Sequence, residues 1–305
     1  MYDPKLARLL AEASQQAYAD KTFQLHGYDI EGFQHNGIQA YGCTSDTQRI
    51  LVFRGTMPNN LDNWATDAAI DWVPQGDFGQ AHGGIVEALE RIWNNLKLWL
   101  AKDSGLPLAI TGHSLGGALA VIAATRVHHL HPAVYTFGQP RVGNKAFSIN
   151  ASALFTKSYF RFVHERDFVA RIPPFSVGFR HFGAHYLIQN NAPQLISTHA
   201  EDLNDALGSI LLMKTSIPPA LLNYAAPLLE RLEQAAFPVL RNSAIIAIKG
   251  LKLSFEVFPS AAAGPWLDAV DRYLAALPLD NSQPTISNPA SDHSPIHYTN
   301  AFPPL

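Results

Sequence analysis

The residues best suited to chemistry in this sequence form the run GHSLG at positions 112–116, which fits the pattern G-x-S-x-G. In that pattern the serine lies on a sharp turn between a strand and a helix, so its hydroxyl projects above a sheet. A continuously apolar segment (106–111) precedes the run, and an Ala-rich segment with helical spacing (116–130) follows it. We therefore predict that Ser114 is a nucleophile. The two glycines of the motif are expected because a Cβ there would collide with the neighbouring strand or helix.

A serine that attacks a carbonyl carbon generates an oxyanion, which backbone N–H groups can stabilise. The N–H of Leu115 is the first predicted donor, since the N-terminus of the following helix favours negative charge. Thr56 comes directly after the apolar run 51–53, Arg54 and Gly55. We predict that its N–H supplies the second donor, with its hydroxyl as a further contact.

A serine hydroxyl needs a general base, usually a histidine held by a carboxylate. With a nucleophile of this kind the chain order is serine, acid, histidine. Asp167 lies just after a predicted strand (158–164) and is the predicted acid in preference to Glu165. His293 and His297, near the end of the chain, both suit the base, and their positions alone do not separate them.

Alternating strand and helix patterns position these residues and predict an open, mostly parallel α/β sheet. The predicted helices cover 4–20, 84–102, 116–130 and about 143–155, and the predicted strands cover 38–43, 49–54, 106–111, 133–138 and 158–164. Further along, 189–284 carries helical patterns broken by prolines and few strand signals, so we interpret it as a helical insertion or cap.

Charged residues make up only 15% of the chain, against about 25% in a typical protein. The net charge of −3 excludes a basic nucleic-acid binder, and the composition excludes a charge-rich disordered chain. The segment Ser104–Thr125 has no charged residue, which would suit a membrane span by length. Its central glycines, His113 and Ser114 indicate a buried strand, turn and helix instead.

The sequence contains one cysteine, Cys43, so an intramolecular disulfide is excluded. The N-terminus lacks the basic and apolar regions of a signal peptide, which is compatible with a cytoplasmic protein and with a secreted mature form. No metal-binding motif such as HExxH or CxxC occurs, and we expect no cofactor. The oligomeric state and source compartment are left open.

Taken together, the motifs resemble those of the fungal-type, or class 3, lipases of the α/β-hydrolase superfamily. The resemblance covers about residues 10–190 and 290–300 and rests on an ordered set: LVFRGT, NWATD, AHGGI, TGHSLGGALA, YTFGQPRVGN, FRFVHERDFVARIPP and DHSPIHY. It implies an α/β-hydrolase fold over 1–305, with Ser114 as nucleophile, Asp167 as acid and Thr56 and Leu115 as the oxyanion hole.

Members of this family close with a pattern similar to D-H-S-x-x-x-Y, which is matched by Asp292, His293, Ser294 and Tyr298. The resemblance therefore implies that His293 is the base and that His297 is the alternative. The chain departs from the secreted fungal members by having no disulfide. It also has a longer and more helical stretch before His293.

The resemblance also implies an activity and a mobile lid. The expected activity is triacylglycerol hydrolysis through an acyl-enzyme, at an oil–water or membrane surface; the alternatives are a carboxylesterase, a phospholipase A1 and an aryl-ester (feruloyl-type) esterase. The candidate lid is 58–73. Its predicted apolar, substrate-facing residues are Leu61, Trp64, Ile70 and Trp72. A fixed amphipathic helix packed on the core is the alternative interpretation of this segment.

Overall fold

The strands predicted from the apolar runs assemble into one sheet in the computed structural model. The structure describes residues 2–19, 23–55, 71–102, 105–165, 167, 169–173, 178–197 and 293–304. These residues belong to one unit with dense internal contacts, within Met1–Pro173, Gly178–Ala200 and Ser287–Leu305.

The described strands, in chain order, are β1 Asp29–His35, β2 Ile38–Thr44, β3 Arg49–Phe53, β4 Trp72–Pro74, β5 Gln80–His82, β6 Leu108–His113, β7 Ala133–Phe137, β8 Tyr159–His164, β9 Ala184–Gln189 and β10 Ala192–Ser197. In the described part of the chain, eight of them form the main sheet in the order β1-β2-β3-β6-β7-β8-β9-β10. The short strands β4 and β5 pair separately.

The described helices are α1 Pro4–Gln16, α2 Gly83–Leu100, α3 Leu115–Arg126, α4 Lys145–Phe155 and α5 Pro295–Asn300. The first four confirm the predicted helices apart from their ends, whereas α5 was not predicted. The helix predicted for 116–130, for example, ends at Arg126 and is followed by a 3-10 turn, His128–Leu130. Within the described residues, none of the helices has the length and apolar character needed to cross a bilayer.

The pairing directions explain how distant residues meet. Strands β3, β6, β7, β8 and β9 are parallel neighbours, whereas the pairs at the two sides of the sheet are antiparallel. The carboxyl ends of parallel strands lie at one edge, and ligands bind at that edge in open α/β sheets. The chain leaves β3, β6, β7 and β8 at this edge, which places Gly55, Ser114, Gly138 and Asp167 together.

Both faces of the sheet are covered, as the continuously apolar strands require. In β3, Ile50 and Val52 join the core under α1, while Leu51 and Phe53 join the core under α2 and α3. The α3 residues from Leu115 to Thr125 are all buried. The low charge content is therefore partly explained by a buried sheet and a buried helix, as predicted.

Five described strands, β1, β4, β5, β9 and β10, were not predicted, and β10 corrects the boundary of the helical insertion. Strand β10 shows that 192–197 is extended, so the insertion cannot begin at 189. Residues 198–284 lie outside the described residues, and there the insertion stays a prediction. Strand β10 is antiparallel to β9 and contains Pro193, a residue tolerated at sheet edges because it cannot donate to a second neighbour.

The two edge strands of the main sheet, β1 and β10, connect to their neighbours through two-residue turns. Asn190 and Asn191 have φ values of 51° and 55°, and Asn36 and Gly37 have values of 45° and 80°. Two successive positive φ angles define the type I′ hairpin turn, for which Asn-Gly is the strongest sequence signal. The dipeptide at 36–37 could therefore have identified strand β1 from the sequence.

Candidate active site

Ser114 lies at a sharp turn between β6 and α3, where the sequence pattern placed it. Its backbone has φ 59° and ψ −130°, and the residue is 0% exposed. Its N–H donates to the carbonyl of Phe137 at 2.9 Å, which ties the turn to the adjacent strand β7. A non-glycine residue at positive φ is strained and persists only when its surroundings hold it there.

The glycines beside Ser114 make this turn sterically feasible. A Cβ at Gly112 would clash with the backbone of Gly116, and a Cβ at Gly116 would clash with the carbonyl of Phe53 on strand β3. This confirms the predicted reason for both glycines. The first turn of α3 is thereby packed directly against the sheet.

Asp167 follows β8 and is 0% exposed, with its carboxylate fully occupied by donors. The His293 Nδ1 lies 3.0 Å from its Oδ1 and 2.8 Å from its Oδ2. The Tyr298 hydroxyl donates to Oδ2 at 2.5 Å, and the N–H of Val169 donates to Oδ1 at 2.9 Å. The structure thus places Asp167 against a histidine, whereas the N–H of Glu165 donates to the carbonyl of Ile188 on strand β9.

The surroundings of Asp167 keep it ionised. Burial by itself raises the pKa of this carboxyl, but the charge of His293 and the hydrogen bonds from His293 and Tyr298 outweigh it, so the pKa lies below its ordinary value. A carboxylate can only accept from Nδ1. The Nδ1 of His293 therefore carries a proton, and in the neutral ring Nε2 is the basic nitrogen.

The remaining two polar atoms of this arrangement are Ser114 Oγ and His293 Nε2. Both are buried, and neither has a hydrogen-bond partner among the described residues. His113, the residue before Ser114, places its ring 4.5 Å from that of His293. Serine–histidine hydrogen bonds are often long in ligand-free sites and tighten when substrate binds.

His297 is placed differently. It is the third residue of α5, and its ring stacks on His164 with centroids 4.7 Å apart and an interplanar angle of 17°. The histidine that contacts Asp167 is thus His293, the residue to which the resemblance assigns the base.

Leu115 is the first residue of α3, so its N–H is one of the four that a helix cannot satisfy internally. Thr56, the other predicted oxyanion donor, lies outside the described residues. Gly55, just before it, approaches the site closely: a Cβ there would clash with the Tyr18 hydroxyl and lie 2.6 Å from the carbonyl oxygen of His113. The loop after β3 therefore begins against the end of β6.

Of the predicted lid residues, Leu61, Trp64 and Ile70 lie outside the described residues. Trp72 is the first residue of β4, and its ring stacks on Phe179 with centroids 4.3 Å apart. The carbonyl of Asp71 accepts a hydrogen bond from the N–H of Gly83 at 2.7 Å. The end of the 58–73 segment is therefore a strand held by backbone and ring contacts, not a continuation of a helix.

Gly138 was missed by the sequence reasoning although it lies in the centre of this site. It follows β7 with φ 57°, and a Cβ would lie 2.6 Å from Asp167 Oδ2 and 3.1 Å from His293 Cε1. The site thus needs glycine both for conformation and for space. The signal was a glycine directly after a buried strand, at the same sheet edge as the serine.

Tyr298 matches the closing pattern of the family, and its hydroxyl links the Asp167 carboxylate to the end of β8. It donates to Asp167 and accepts from the N–H of His164 at 3.1 Å. We predict that Tyr298→Phe lowers the free energy of unfolding by about 1–3 kcal/mol, because it leaves a buried N–H and a carboxylate oxygen short of a partner. Denaturant unfolding at neutral pH measures this, and an unchanged free energy would contradict the assigned role.

These parts can perform acyl transfer. They comprise a serine on a strained turn, a buried histidine–carboxylate pair and a helix N-terminus directed at the same edge. Among the described residues, no group of three or more His, Cys, Asp or Glu side chains is arranged to hold a metal ion.

Comparisons with known proteins agree with the fold. Residues 50–177 match the family described as lipase (class 3). A lipase from Rhizomucor miehei is 31% identical over 215 residues, covering 66% of this chain and 57% of that protein. The secreted mono- and diacylglycerol lipase 1 of Fusarium solani is 34% identical over 166 residues, covering 49% and 47% respectively.

A solved structure described as a triacylglycerol lipase whose catalytic centre is a serine protease triad superposes with a TM-score of 0.57. Its sequence identity is 25%, over 65% of this chain and 85% of that one. The chain spans about half the length of the curated relatives that it matches. From the sheet topology, the ordered motifs and these matches, residues 50–177 match the class 3, or fungal-type, lipases, and the chain has the α/β-hydrolase fold of these proteins.

Proposed function

We propose that this protein is a serine esterase that hydrolyses carboxylic esters of lipids, with triacylglycerol as its main substrate class. The observation that carries the proposal is the buried Asp167–His293 pair beside the strained turn of Ser114. The relatives are named lipase and mono- and diacylglycerol lipase, which supports lipid esters as the substrates.

In the proposed mechanism the Nε2 of His293 takes the proton of Ser114 as its oxygen attacks the ester carbonyl. The N–H groups of Leu115 and Thr56 stabilise the resulting oxyanion. His293 then gives the proton to the departing alcohol, which leaves an acyl-enzyme. Water, deprotonated by the same nitrogen, then attacks the carbonyl carbon of the acyl-enzyme. His293 gives that proton to the oxygen of Ser114 as the fatty acid is released.

Asp167 contributes by holding His293 in the Nδ1–H form and by stabilising its positive charge after proton transfer. The lowered pKa of Asp167 suits this role, since an ionised carboxylate can accept the hydrogen bond from Nδ1. The candidate lid and the helical insertion stay predictions from the sequence. Both would present apolar surface to a lipid–water interface.

A substrate panel tests the proposed function. We expect hydrolysis of triglycerides and of p-nitrophenyl esters with medium to long acyl chains, at rates above those for phospholipids and feruloyl-type aryl esters. Product release is measured by titration of fatty acid and by p-nitrophenol absorbance. The Ser114→Ala variant, purified identically, supplies the blank for contaminating esterases.

The other outcomes are equally informative. If phospholipids or aromatic esters were cleaved faster than triglycerides, the proposed substrate class would be wrong, whereas the proposed serine mechanism would stand. A folded wild-type protein without activity above the blank on any ester would contradict the proposed function.

A further inference from the structure

A hydrogen-bonded chain runs from the end of α1 to the backbone of His293. The Tyr18 hydroxyl lies 2.7 Å from Nδ1 of His113, and Nε2 of His113 lies 2.8 Å from the carbonyl oxygen of His293. His113 is the residue immediately before Ser114, and its side chain is 2% exposed. The side chain of His113 thus connects the end of β6 to the backbone of His293, the proposed base.

The proton positions in this chain follow from its chemistry. A carbonyl oxygen can only accept, so Nε2 of His113 must carry a hydrogen. Burial, followed by the nearby charge of His293, holds the pKa of His113 well below its ordinary value, with Asp167 opposing this, so the ring is neutral. The Nδ1 atom is then the acceptor, and Tyr18 must donate to it. Burial raises the pKa of Tyr18, which keeps its hydroxyl protonated.

We propose that His113 is a positioning residue for His293, locked by Tyr18 in the tautomer that can hold the His293 backbone. This inference rests on the proposed function, since it assigns His293 as the base. The side chain of His293 is bonded to Asp167 through Nδ1 and its backbone is bonded to His113 through its carbonyl. Two anchors on one residue fix both the place and the rotation of its imidazole.

The surroundings show why a backbone anchor is needed here. His293 comes just before α5, which α1 holds from the far end: Arg8 Nη1 donates to the carbonyls of Thr299 at 2.6 Å and Phe302 at 2.8 Å. The carbonyl oxygen of His293 accepts a hydrogen bond from Nε2 of His113. Within the described residues, this is the one hydrogen bond that the backbone of His293 makes. Without it, the rotation of the imidazole would depend on the single hydrogen-bonded pair with Asp167.

Without the Tyr18 donor, the neutral ring of His113 could move its proton to Nδ1. Its bare Nε2 would then face the carbonyl oxygen of His293, two acceptors in contact. The expected consequence is a displaced His293 backbone and slower proton transfer from Ser114, with little change in ester binding. A displacement of about 1 Å can lower a catalytic rate on the order of 100-fold.

Four single variants test the inference. We expect His113→Leu to lower kcat for a p-nitrophenyl ester about 100-fold with KM nearly unchanged. His113→Gln, whose amide can still donate to the carbonyl, should retain most of kcat. Tyr18→Phe should lower kcat on the order of 10-fold, the equivalent of one lost hydrogen bond. Tyr28→Phe is the matched control, because it removes a tyrosine hydroxyl that contacts Gln48, and its kcat should equal that of the wild type.

The labelling rate of Ser114 by an organophosphonate provides a second readout, and it should fall in parallel with kcat. Equal losses in His113→Leu and His113→Gln would overturn the inference, since ring volume and not the hydrogen bond would then matter. So would wild-type kcat in Tyr18→Phe, a variant that keeps the packing shape and is expected to fold. Failure of the proposed function would differ from both, because the wild-type protein itself would lack activity and labelling.

Discussion

Replacing Ser114 by alanine is expected to lower kcat for any ester substrate by about a millionfold, the scale seen when a serine nucleophile is removed from a triad. The alanine has no oxygen to form the acyl-enzyme, and the buried His293 has no serine hydroxyl to deprotonate. Substrate binding should persist, because the oxyanion donors and the apolar contacts are unchanged. The measurement is initial-rate kinetics, with ligand affinity measured separately by a non-hydrolysable ester analogue.

The stability of this variant provides its control. The Oγ of Ser114 is buried without a partner among the described residues, so its removal leaves no other group unpaired. The free energy of unfolding should therefore be nearly unchanged in Ser114→Ala, since alanine keeps the Cβ and the backbone conformation of the turn. A folded variant that keeps a substantial fraction of wild-type kcat would exclude Ser114 as the nucleophile.

Replacing His293 by alanine is expected to lower kcat as much as Ser114→Ala does. Replacing His297 by alanine should leave kcat near that of the wild type. The base and the nucleophile act as one unit, so removing either is expected to cost about a millionfold in kcat. His297 contacts His164 by ring stacking, and its loss removes packing on α5 without touching Asp167. Initial rates on one ester, at several pH values, separate the two variants.

The structural readout for this pair is the free energy of unfolding of each variant. His297→Ala is the matched control, and thermal unfolding checks that it is folded at the assay temperature. The reverse pattern, an active His293→Ala and an inactive but folded His297→Ala, would reassign the base. Two inactive, folded variants would show that α5 must keep its packing for the site to work.

Much of the site could be predicted because its parts are local in the sequence. The turn at Ser114 needs small flanking residues and a buried strand before it, and both occur within ten residues of the serine. Asp167 was found by its place after a strand, because parallel strands all bring their carboxyl ends to one edge. Continuous apolar runs likewise indicated the buried strands, as burial on both faces removes the usual alternation.

The edge strands were harder to predict for a physical reason. Strand β1 is mostly exposed, and β10 contains a proline, so neither has the apolar pattern that identifies central strands. The turns that connect these strands to their neighbours indicate them better than the residues of the strands themselves. The candidate lid illustrates the same limit, since the described end of the 58–73 segment is part of strand β4.

By itself the sequence determined the central sheet and predicted the turn at Ser114 and the position of Asp167, because strand and helix periodicity and turn sterics depend on neighbours along the chain. It left His293 and His297 open until the family resemblance was considered. Only the tertiary structure decided which histidine contacts Asp167, that Gly138 leaves room for both, and that Tyr18 and His113 reach the backbone of His293. Those contacts join residues far apart in the chain, and only packing of α1, the sheet and α5 brings them within hydrogen-bond distance.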